Sequence, residues 1–179
     1  MAADSDSVPG LAVPAAADRD RDPKGRPRNA RPRDHLGRPL DRAAPGDPSQ
    51  LSAGSPLADA LPLAQQLIDG GRPFHAHEVL EDAWKAAPDA QRALWKGLAQ
   101  LAVGLTHAMR GNAKGAVALL RRGADAIGTS LQPIPGLADV TVISRSAADL
   151  ADRIERAGLG AMSEADLRLT ITGRPGAPS

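Results

Sequence analysis

Thirteen consecutive residues, Gly97 to Met109, carry no charged side chain, although Arg92, Lys96 and Arg110 stand close on either side. The run is shorter than the ~20 residues a membrane-spanning helix needs. Leu94, Leu98, Leu101 and Leu105 recur within and beside it at helical spacing. A helix that is apolar nearly all round is buried on most sides, so this segment is expected to form the centre of a helical bundle. Beside the leucine face, Gly97, Gln100, Gly104 and His107 make a second stripe at i, i+3, i+7 and i+10. Glycines there let another backbone approach closely. Gln100 and His107 are the strong polar groups of this helix, and leaving either unpaired in the interior would cost about 1–3 kcal/mol.

The rest of the chain supplies neighbours for that helix. Ser55 and Pro56 can open a helix carrying Leu57, Leu61, Ala64, Leu67 and Ile68, which Gly70-Gly71 closes. Pro73 can open a second, running to about Ala87, and the short Pro88-Asp89 turn leads antiparallel into the third, which reaches Arg110. Gly111 stops it, Asn112 can cap a fourth helix, and Val117, Leu119, Leu120, Ala124 and Ile127 give that helix its apolar positions up to about Gly128. Pro133 and Pro135 interrupt, and Val140 to Ile143 reads as extended or loop. A fifth helix is expected from about Ser146 to Ala157, carrying Leu150 and Ile154. The expected class is therefore all-α, a compact bundle of four to five helices. It is divided into an arm over 1–54, a helical domain over 55–158 and a weakly structured tail over 159–179.

Composition removes several classes of function. Cysteine is absent, which excludes disulfide frameworks, thiolate metal sites and cysteine nucleophiles, and fits a reducing, cytoplasmic setting. No apolar run suits a membrane span or the core of a signal peptide. The net charge of +1 provides no overall field to draw the molecule onto nucleic acid. The excess that exists is local: Asp18 to Arg42 holds nine cations and five anions among prolines and glycines. Without apolar periodicity this arm cannot offset the entropy of ordering, so a disordered or loosely docked segment is expected. It contacts nucleic acid weakly at most, because no aromatic residue interleaves its arginines. A homodimer or a protein partner is the expectation for so Ala-rich a helical domain.

All three aromatic residues, Phe74, Trp84 and Trp95, fall in the second and third helices. On the second, His77, Glu81 and Trp84 form a stripe at i, i+4 and i+7 beside the apolar arc of Ala76, Val79, Leu80 and Ala83. Near a helix N-terminus the macrodipole disfavours a protonated imidazole and favours an ionised carboxylate, which concerns His75, His77 and Glu78. A neutral imidazole beside a carboxylate can hydrogen-bond, take a proton or bind a metal. The candidate polar pocket is accordingly His77, Glu78, Glu81, Trp84, Trp95, Gln100, His107 and Asn112. The spacing of His77 and Glu81 suits two metal ligands on one face, but Glu81 stands where a His-Glu-x-x-His motif needs its second histidine. With the turn centred on Pro88, His77 lies level with about residue 99. His107 lies eight residues further along, or ~12 Å at helical rise. No cofactor is expected beyond a divalent metal at His77 and Glu81. A phosphate-binding loop, a dinucleotide fingerprint and a nucleophile elbow are all missing.

The run His77-Glu78-Val79-Leu80-Glu81-Asp82-Ala83-Trp84, then Gly97-Leu98-Ala99-Gln100-Leu101-Ala102, then His107 with Gly111-Asn112 and Gly115-Ala116, resembles the domain-of-unknown-function 309 family. The resemblance covers about Leu57 to Ile127 and implies a compact helical domain without an established activity. Two readings of function follow. In one, the domain is a binding or interaction module whose His77, Glu81 and Gln100 network fixes helix register. In the other it is an enzyme, hydrolase-like, with His77 or Glu81 as general base or metal ligand between Trp84 and Trp95.

Overall fold

The computed structural model describes residues 32–41, 57–132 and 134–173. Five α-helices are present and no strand is found among the described residues: α1 (Ala60–Asp69), α2 (Pro73–Ala86), α3 (Asp89–Met109), α4 (Ala113–Gly128) and α5 (Val140–Ala157). Each packs mainly on its neighbours in the chain. The short turns make this antiparallel order unavoidable: three residues join α1 to α2, two join α2 to α3, and three join α3 to α4. None of these helices is long and apolar enough to cross a membrane.

As expected from its missing charges, α3 is the central element. It buries Leu94, Trp95, Gly97, Leu98, Ala99, Leu101, Ala102, Gly104, Leu105, Thr106 and Ala108. The glycines of the second stripe face α4. A Cβ on Gly97 would lie 3.2 Å from the Gly123 carbonyl oxygen, and one on Gly123 would lie 2.9 Å from the Gly97 carbonyl oxygen. The two helix backbones therefore touch where both side chains are absent.

Three segments differ from what the sequence suggested or add to it. Val140 to Ile143 is not extended but the first turn of α5. The Asp139 carboxylate caps it, accepting from Thr141 N at 2.7 Å and Val142 N at 3.4 Å, while Ile143 is buried. That cap and that burial outweigh the reluctance of a β-branched run to coil. The stretch after Met162, expected to be weakly structured, holds among its described residues nothing longer than the 3-10 turn Ala165–Leu167, yet Leu169 and Ile171 enter the core. Most of the arm over 1–54, and with it Ser55 and Pro56 before the 3-10 turn Leu57–Asp59, lies outside the described residues. Residues 32–41, however, form a tight loop on the bundle. Asp34 accepts from the backbone nitrogens of Leu36 and Arg38, Leu36 is buried, and Arg110 donates to its carbonyl. Arg33 and Arg110 both stand over the Phe74 ring, at 5.6 and 5.8 Å.

Candidate functional site

Pro73 starts α2 at a position where its missing N–H costs nothing. From there the helix presents a line of polar side chains along its edge with α3. His77 Nε2 stands 3.2 Å from one oxygen of Glu81, and Lys85 Nζ stands 3.0 Å from the other. Lys85 also approaches Asp82 at 3.7 Å. The spacing i, i+4, i+8 lets one carboxylate hold a histidine on the turn before it and a lysine on the turn after it. Hydrogen bonding to Glu81 raises the pKa of Lys85 and keeps it charged.

His77 is the unusual member. Its side chain is only a quarter exposed, and burial lowers its pKa more than the neighbouring Glu81 and Glu78 carboxylates raise it. With Nε2–H directed to Glu81, the neutral ring leaves Nδ1 as a bare acceptor. Nδ1 is fully buried and has no hydrogen-bond partner. The Ala99 backbone of α3 reaches the ring and favours its protonated form, less strongly than burial opposes it, in agreement with the level expected from the turn at Pro88.

The other expected members do not join this pair. Glu78 turns to His75, whose Nδ1 lies 3.2 Å from its carboxylate and whose ring is 2% exposed. Trp84 is half-buried, with Lys96 of α3 at 5.5 Å from its ring, a cation–π contact across the helix pair. Trp95 is a core anchor, 1% exposed, and its Nε1 has no hydrogen-bond partner. Gln100 is partly exposed, and no side-chain hydrogen bond joins it to His77 or Glu81.

His107 and Asn112 form a separate node at the α3–α4 turn. Asn112 Oδ1 accepts from Gly115 N at 2.9 Å, which caps α4. Its Nδ2 therefore faces His107 Nδ1, 2.8 Å away, and the imidazole is the acceptor. A Cβ at position 115 would run into both side chains. The spacing from His107 through Gly111-Asn112 to Gly115 is thus accounted for by helix ending, capping and clearance. The roles of His75, Lys85, Lys96 and Gly115 were missed from the sequence. Lys85 was within reach of that reading, since it stands four residues after Glu81, whereas the Trp84–Lys96 contact needed the tertiary register.

As a metal site the arrangement is incomplete. No group of three His, Asp or Glu side chains among the described residues is placed to hold an ion, and His77 and Glu81 face each other. As a proton-transfer pair it is occupied: Glu81 has a partner on each oxygen, and the open nitrogen of His77 points inward.

By fold, then, this is an all-α bundle domain with a polar edge between its second and third helices. The family model described as Domain of unknown function (DUF309) matches residues 61–119, and this segment is similar to that family. The match runs from the start of α1 into α4 and includes every candidate residue named above. It bears out the resemblance carried by the His77 to Trp84 run. No curated protein and no solved structure matches the chain.

Proposed function

We propose that the domain is a binding module in which the His77–Glu81–Lys85 line shapes the α2–α3 edge rather than performing chemistry. The observation that carries this reading is the double engagement of Glu81: one oxygen on His77, the other on Lys85. A base working on a bound substrate needs a free lone pair within ~3 Å of the proton it takes. Here the free lone pair is that of a buried nitrogen. Trp84 and Lys96 beside the line offer a partly exposed aromatic and cationic surface to a protein partner, or to a second copy of the chain.

The enzyme reading keeps one observation in its favour, since an unpartnered imidazole nitrogen with a lowered pKa is a base without a proton donor. Glu81→Gln and His77→Asn separate the two. The binding-module reading expects both to lower the melting temperature by a few degrees, with or without chelator. Native protein with a stoichiometric metal that is lost in Glu81→Gln, while the melt of the apo form is unchanged, would overturn it and make the catalytic reading primary.

A further inference from the structure

The last described residues run as an extended segment across the bundle, and what holds them is unusual. Arg168 and Thr170 are exposed while Leu169 and Ile171 are buried, the alternation of a strand with one face against a core. No neighbouring strand supplies the ladder on the α1 side. Instead the side chain of Gln65 does so. Its Nε2 donates to the Leu169 carbonyl at 3.2 Å, and its Oε1 accepts from Ile171 N at 2.7 Å and Thr172 N at 3.2 Å. Asp69, an acceptor only, takes a second hydrogen of Nε2 at 2.9 Å, which fixes which end of the carboxamide faces which. On the opposite edge, Ala138 N donates to the Ile171 carbonyl and Gly173 N to the Gly136 carbonyl, both at 3.0 Å.

These bonds read main chain, and the core reads only the bulk of two aliphatic side chains. Gln65 lies within the residues that match the family, whereas the segment it holds lies outside them. We propose that this groove is a peptide-binding site for an extended segment with aliphatic side chains at i and i+2, filled in cis by the chain's own residues 168–173. The site is separate from the α2–α3 edge and does not depend on its role. A tethered occupant acts at an effective concentration on the order of millimolar, so a partner segment competes only when it binds well or when the tail is loosened.

Ile171→Asp in the full-length chain loosens the tail, and a fluorescein-labelled peptide with the sequence of residues 166–173 reports on the vacated groove. The peptide is expected to bind the Ile171→Asp chain at least about tenfold more tightly than wild type, and to lose about tenfold on adding Gln65→Ala, as for one or two lost hydrogen bonds. Its Leu169→Ser, Ile171→Ser form is expected not to bind. A helical, cooperatively melting Ile171→Asp chain that leaves the peptide unbound overturns the proposal. Should that variant not fold, hydrogen exchange of the wild type decides. Amides of Ile171 and Thr172 exchanging at least about 100-fold faster than that of Leu101 mark a tail that undocks by itself. Exchange as slow as in α3 makes the tail an inseparable part of the core and overturns the proposal.

Discussion

α3 meets its two neighbours in opposite ways. Toward α4 the contact is closed: Gly97 and Gly123 bring backbone against backbone, and at the end of the seam His107, Asn112 and Gly115 satisfy one another. Toward α2 it is left open in one respect, because His77 commits Nε2 to Glu81 and buries Nδ1 with no partner. Both contacts contain a histidine set beside a polar side chain, and nothing in residue type separates them. The difference lies in completeness. A histidine whose ring nitrogen at the seam has its donor is accounted for by the fold there, while one that keeps a desolvated lone pair carries a cost the fold does not explain.

The comparison breaks most visibly at the seam. Gly123→Val places atoms where Leu101 Cδ2 would stand 2.6 Å and the Gly97 oxygen 2.9 Å from the new Cβ, so α3 and α4 must part. Overpacking of this kind costs about 3 kcal/mol, read as a lower midpoint in urea unfolding. A midpoint equal to that of wild type would mean the helices are free to slide, and the contrast with α2 would go. A smaller loss, about 1.5 kcal/mol, is expected for Asn112→Ala, which removes the α4 cap together with the donor to His107. Asn112→Asp keeps the cap but not the donor, and should recover the larger part of that loss.

How far the sequence could be read follows the same division. The uncharged run of α3 announced its burial, and Gly97 and Gly104 announced a close neighbour, because a missing side chain has one steric meaning wherever it falls. Pro88 placed His77 level with residue 99, where the Ala99 backbone is found. The grouping of His77, Glu78, Glu81, Trp84, Trp95, Gln100, His107 and Asn112 rests on helical spacing, which leaves rotamers open, and the hydrogen bonds of Glu78 and His107 go to partners other than His77 and Glu81. Glu78 chose His75, and His107 chose the residue five positions on. The tail was unreadable for a different reason. Leu167, Leu169 and Ile171 alternate with Arg168, Thr170 and Thr172 as a strand does, but the pattern is short, and what pairs with it is a side chain on α1 more than a hundred residues earlier.

The smallest effect sharpens the open side of the comparison, and it is one of slope rather than height. Burial lowers the pKa of His77 in the folded chain below its ordinary value of about 6.5. Below pH 6.5 the unfolded chain therefore takes up its proton first, and stability rises with pH through that window. The contribution is complete above about pH 6.5 and is lost as the pH falls through the folded value. Asp166, lowered to about 2 by Ser163 and Arg153, behaves the same way only in much stronger acid, so it leaves the window clear. Unfolding free energies from urea titrations between pH 7.5 and 5 should decline for wild type and decline less for His77→Asn. Equal slopes would mean that the His77 ring takes its proton as readily folded as unfolded. Nδ1 would then find a partner on protonation, with the Ala99 backbone the candidate, and the α2 face of α3 would be as closed as the α4 face.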